Sequence, residues 1–370
     1  MYSESDLEAA VAAGALTAGQ AAAFRSYVAA GRHTPAVDEE HFRLLTGFND
    51  IFVGIAAAIL LAAVAMIGYY VGPRIGGDGP TPFMGLFAAA VAWGLAEFFT
   101  LKRRMALPSI ILLGAFVFGV FETAGTSIVI AVGEQNIDNS PQAAMIILSV
   151  SAGIAALAAW LHWRRFRVPV TVAAGVGALV AVVLGFVATG FAAENMSEAQ
   201  VRLMVRVMEG SALVLGIGVF LLAMRWDASD PKRETRRSDV AFWLHLLAAP
   251  LIVHPVFSLL GLTEGKASTL DGIAVILLYV VLGLVALAID RRALLVSALA
   301  YVLYALNSLF ETYGVVELNV ALTALIIGSA LLLLSAFWTS ARRAVVMPLP
   351  DGLRGKLPVL DRVAAAPIPA

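Results

Sequence analysis

"RRMALPSIILLGAFVFGVFETAG", residues 103–125, sets two arginines directly before 17 uncharged residues and then closes on a glutamate. Wound as an α-helix at ~1.5 Å per residue, Arg104 and Glu122 lie ~27 Å apart, close to the ~30 Å thickness of bilayer hydrocarbon. The stretch therefore predicts a spanning helix with its cations at one boundary and a lone carboxylate near the other.

The rest of the chain repeats this pattern. Its 370 residues are 60% hydrophobic and 14% charged, with a mean hydropathy of +0.88, far from the composition of soluble domains. A net charge of -1 leaves no basic excess for nucleic acid. The absence of cysteine excludes disulfides, thiolate metal sites and a cysteine nucleophile. The first apolar stretch follows an acidic polar leader, which is not the basic start of a cleavable signal peptide.

Runs long enough to cross a bilayer fall at 48–71, 82–101, 106–132, 142–163, 168–192, 207–226, 240–260, 269–289, 293–316 and 318–339. The expected fold is an all-α integral membrane protein of about ten transmembrane helices. Of the 25 Lys and Arg residues only Arg74, Arg202, Arg206 and Lys266 fall in loops after odd-numbered spans, leaving 25 - 4 = 21 in the leader, the other loops and the tail. By the positive-inside rule both termini are then cytoplasmic, in a bacterial inner membrane.

Three regions are expected: a cytoplasmic helical hairpin at 1–40, a polytopic membrane domain at 41–340 and a cytoplasmic interfacial or disordered tail at 341–370. In the leader, Gly14 can end one helix in a left-handed cap, and Thr17 with Gln20 has capping-box spacing to open the next. The G-x-L/I-T-x-x-Q-A turn, "GALTAGQA" at residues 14–21, resembles an uncharacterised family of bacterial membrane proteins that begin with such a hairpin. That resemblance implies a layout and no activity.

"RRALLVSALAYVLYALNSLFETYG", residues 291–314, matches the opening stretch at the arginine pair and at F-E-T-x-G, and "RRFRVPVTVAAG", residues 164–175, matches its first half. The pattern suggests parallel two-helix repeats. Glu122 and Glu311 would lie near the outer boundary, at a helix end or at the mouth of an outward cavity. Tyr304, Asn307, Ser308 and Glu311 share one helical face. His245 and His254 share a span with Pro250 and Pro255, and nine residues apart they fall on opposite faces of a straight helix. Glu97 is expected to snorkel or to pair within the Lys102, Arg103, Arg104 cluster. The candidate cavity-lining residues are Glu122, His254, Tyr304, Asn307 and Glu311, with no metal site and no cofactor expected.

No phosphate loop, H-E-x-x-H or G-x-S-x-G is present, so an enzyme is not supported. Two functions remain open. One is a secondary transporter or permease for a small solute. The other is a non-transporting scaffold or assembly factor presenting its hairpin to a protein partner. Membrane lipids are expected as surroundings in either case.

Overall fold

The computed structural model describes residues 4–32, 48–193, 196–231, 233, 235–259, 269–292, 295–296, 299, 303 and 319–360. Among these residues every regular element is helical.

The leader folds as its letters specify. Helices α1 (Glu4–Ala12) and α2 (Ala18–Arg32) are separated by Gly14 at φ 73°, and the Thr17 N–H donates to Gln20 Oε1 at 2.9 Å while the Gln20 N–H donates to Thr17 Oγ1 at 3.2 Å. This reciprocal cap satisfies two of the N–H groups a helix start leaves open. Leu7 and Ala21 are buried in the hairpin.

The membrane part runs α3 (Phe48–Tyr69), α4 (Pro82–Ala96) with a π turn at Glu97–Lys102, α5 (Ala106–Val132), the short α6 (Glu134–Asp138), α7 (Pro141–Phe166), α8 (Val170–Thr189), α9 (Glu198–Ala228), α10 (Arg236–Leu259), α11 (Thr269–Ile289) and α12 (Asn319–Ala336). Then α13 (Trp338–Val346) and α14 (Asp351–Arg354) follow. Among the described residues seven helices, α3 to α10 without α6, are long and apolar enough to cross a membrane, and eight if α12 and α13 count as one bent span. The protein is thus a multi-pass membrane protein. Helix α11 has the bounds expected for the eighth span, and most of the ninth lies outside the described residues.

Several boundaries shift by a few residues from the sequence reading, and two of the shifts have a clear structural cause. Helix α9 begins nine residues earlier than expected because Ser197 and Gln200 form a complete capping box. A helix can run past the hydrocarbon into water when a cap starts it there. The last span ends at Ala336, where α13 turns off by 75°.

Alternating direction is visible in the ties between loops. Gly76, after the first span, donates its N–H to Glu134, after the third. Arg165, in the last turn of the fourth, holds Glu97 at the end of the second. Arg291, after the eighth, holds Asp227 at the end of the sixth. The basic loops therefore share one end of the bundle.

Packing runs through antiparallel neighbours α4/α5, α7/α8 and α9/α10. Small residues permit the close approach: Ala57, Ala92 and Ala96 surround Leu112 in one core, and Ala173, Ala223 and Ala248 surround Leu244 in another. Outside, Phe52, Ile59, Phe118, Leu157 and Val214 are each more than 60% exposed, as a lipid-facing surface requires.

The turns at the basic end have a common device. Arg104, Arg167, Arg233 and Asp290 all have left-handed backbones, with φ between 54° and 57°. The aligned arginine pairs do not keep a common place relative to it. The left-handed residue is the second arginine of the pair at 103–104, lies two residues after the pair at 164–165, and directly precedes the pair at 291–292. Those turns recur in form, not in letter-by-letter register.

Candidate functional site

Glu122 has a specific structural partner. Its Oε2 accepts the backbone N–H of Gly85 at 2.7 Å, in the first turn of α4. That turn lacks its usual cap, because the hydroxyl of Thr81 donates instead to Gly68 O at 2.7 Å and Pro82 carries no N–H. A carboxylate from the neighbouring helix fills the gap, where the helix dipole favours negative charge. Beside it the Thr123 hydroxyl donates to Gly119 O at 2.7 Å, and Gly85 and Gly119 face each other across the helix pair. Helix α5 does not end at Gly125, as a helix-end reading of Glu122 would have it; it continues to Val132 and stops at Gly133, φ 88°. The other carboxylate oxygen, Oε1, is buried without a hydrogen-bond partner among the described residues.

His254 pairs with Glu209. Nε2 lies 3.2 Å from Glu209 Oε1, with side chains 55% and 16% exposed respectively. Glu209 sits on α9 and His254 on α10, which are in close contact nearby: a Cβ on Gly216 would come within 2.8 Å of the Leu251 backbone. Counted from Asp227, Glu209 lies 18 residues or ~27 Å along α9, so the pair belongs to the half of the span away from the basic end. Tyr304, Asn307 and Glu311 lie outside the described residues. His245 has a different environment from His254: it is fully buried and its Nε2 lies 2.8 Å from Asp227 Oδ2.

Asp227 opens onto a larger cluster that closes the basic end of α9 to α13. Arg291 donates through Nη2 to Asp227 Oδ1 at 2.6 Å and to Ser238 O at 3.1 Å. One residue before it, Asp290 accepts from Arg233 Nη1 at 2.8 Å and from the Trp338 indole at 2.8 Å. Arg342, one turn on from Trp338, donates to Val359 O at 3.1 Å and Pro358 O at 2.5 Å, and so fastens the segment after α14. The side chains of Asp227, Arg233, Asp290, Arg291 and Arg342 are all 6% exposed or less. Burial at this level is tolerated only when charges are paired and hydrogen-bonded. The 75° bend before Trp338 brings its indole and Arg342 under Asp290, which explains why the last span stops short.

Several of these residues escaped the sequence reading. Glu209 is a lone carboxylate in an otherwise apolar stretch, a signal the letters did carry. Asp227 and Asp290 stand next to arginines in "RWDA" and "IDRR", where the basic residues read as topology markers alone. Glu97 is corrected: it does not pair within its own cluster but takes Arg165, two bonds at 2.8 and 2.7 Å, because the π turn ends α4 with its carboxylate toward α7. His162 is fully buried among Trp93, Phe116 and Phe166, with Nδ1 3.2 Å from Thr171 Oγ1. That is the environment of a packed core histidine. Among the described residues no three His, Asp or Glu side chains come together as a metal site. No protein-family model, curated protein or solved structure matches the chain.

Proposed function

We propose that the protein is a secondary permease for a small solute, residing in a bacterial inner membrane with its basic end in the cytoplasm. The observation that carries this reading is the Glu209–His254 pair. The pair sets a carboxylate and an imidazole on facing spans near the boundary away from the basic end, and ionisable residues in spanning helices mark substrate and ion paths. Pro250 and Pro255 lie on the same helix as His254 and remove backbone donors there, which favours local bending. In this reading Glu209 and His254 form the coupling pair. The Asp227–Arg291 cluster closes the cytoplasmic end.

The test begins with purified protein and a panel of small metabolites in a thermal-shift screen, followed by flux of the hits into proteoliposomes carrying a pH-sensitive dye. Solute-dependent proton movement should be present in the parent and lost in Glu209→Gln and His254→Gln, with membrane abundance kept. A parent with no stabilising solute, or variants with parental flux, would sink the proposal.

A scaffold reading is favoured by one different observation: the basic end ties α9, α11, α13 and residues 358–359 into one buried cluster. A rigid platform of that kind suits partner docking. It predicts that removing residues 4–32 abolishes the cellular function while leaving any solute flux untouched.

A further inference from the structure

The cations at the basic end are used in two different ways. Around α9 to α13, Arg233, Arg291 and Arg342 are buried against Asp227 and Asp290, while Arg225, Arg236, Arg237 and Arg343 are exposed. From the π turn to the start of α5, and from the last turn of α7 to the start of α8, no cation is buried. Lys102, Arg103, Arg104, Arg164, Arg165 and Arg167 are all exposed, and the Glu97–Arg165 bridge fixes the two turns side by side. Six cations against one carboxylate leave 6 - 1 = 5 positive charges.

The surroundings of this patch say what faces it. Arg103 lies over the Phe98 ring at 5.5 Å, Arg164 over Trp160 at 5.1 Å and Arg167 over Trp163 at 5.4 Å. Phe98, Trp160, Leu161 and Leu101 are exposed apolar side chains directly below the cations. A ring face holds a guanidinium in place without neutralising it, so its N–H fork stays available to a phosphate. Apolar surface below and uncompensated cations above match acyl chains and an anionic headgroup.

We propose that the two turns form a binding site for anionic phospholipid of the adjoining leaflet, with the phosphates held by Arg103, Arg104, Arg164 and Arg167. Arg104 and Arg167 are left-handed, at φ 54° and 56°, where glycine is the unstrained choice. That makes glycine substitution a clean probe, since it relieves the backbone while removing the charge.

The experiment reconstitutes the full chain in phosphatidylcholine bilayers containing chain-brominated phosphatidylglycerol or chain-brominated phosphatidylcholine and reads quenching of tryptophan fluorescence. The parent should be quenched preferentially by the anionic lipid, and the preference should fall as salt is raised. In Arg104→Gly/Arg167→Gly the preference should drop, by roughly 25-fold at most if each basic residue near an anionic surface supplies on the order of a fivefold factor. Its melting temperature in phosphatidylcholine should match or exceed the parent's. Arg202→Gln/Arg206→Gln, at the other end, should keep the parental preference. Equal quenching by the two lipids in the parent, a preference that survives high salt, or an equal loss in the Arg202/Arg206 variant would overturn the site. Inorganic phosphate, exchanged for chloride at constant ionic strength, should not displace the lipid. Displacement by phosphate would overturn the assignment to a lipid source.

Discussion

Glu122 on α5 caps α4: its carboxylate accepts the Gly85 N–H at 2.7 Å. A carboxylate ten residues before the end of its own helix thus does the work of an N-cap for the neighbouring one. The geometry explains why an acidic residue is kept near the far boundary, where its own helix dipole gives it no support.

Glu122→Gln keeps an oxygen that can accept the Gly85 N–H, and it should leave thermal stability within about 0.5 kcal/mol of the parent. Glu122→Leu removes the acceptor and should cost ~1–2 kcal/mol, as loss of an N-cap does. Unfolding of the purified variants in detergent reads both. An equal loss in Gln and Leu would show that the charge, not the hydrogen bond, is what matters.

Gly119→Ala tests the close approach of α4 and α5. The added methyl would sit 2.6 Å from Gly85 O, a backbone atom that cannot swing aside. A fall of ~1–3 kcal/mol is expected, in the range of overpacking. Gly114→Ala on the same helix, where nothing lies within 4 Å, should be neutral or slightly stabilising.

The Asp227–Arg291 pair should behave as a buried ion pair. Asp227→Leu leaves Arg291 uncompensated and should destabilise by ~3–5 kcal/mol, whereas Asp227→Leu with Arg291→Met should recover much of the loss. A double-mutant cycle on unfolding midpoints gives the coupling. Additive losses would mean that the two charges do not compensate each other.

Arg342→Leu removes the donors to Pro358 O and Val359 O. The segment carrying Arg354 and Lys356 should then open, and limited trypsin digestion should cut there faster than in the parent. An unchanged cleavage rate would show that other contacts hold the segment.

Orientation can be read directly in this cysteine-free chain. Asn139 and Ser229 are both exposed, between α6 and α7 and just after α9. Cysteine at Asn139 should label with an impermeant thiol reagent in intact cells, and cysteine at Ser229 only after permeabilisation. The reverse pattern would invert the topology.

The sequence by itself determined what is set locally. Apolar runs of bilayer length placed the spanning helices, several to the residue, because in lipid a helix must satisfy its own backbone within the segment. The Gly14 turn and the Thr17–Gln20 box fixed the leader hairpin, since a cap is formed by residues three apart. Tertiary structure alone decided which charges are partners. Glu122 and Gly85 are 37 residues apart, Asp227 and Arg291 are 64, and Trp338 and Asp290 are 48. Periodicity gives the face a residue occupies on its own helix, not the helix that will lie against it. The same letters, arginine after an apolar run, therefore read alike at Arg104 and Arg291, yet one is exposed and the other is buried against Asp227. Pairing and burial depend on how α4, α5, α7 and α9 to α13 are packed, and that arrangement is a property of the whole bundle.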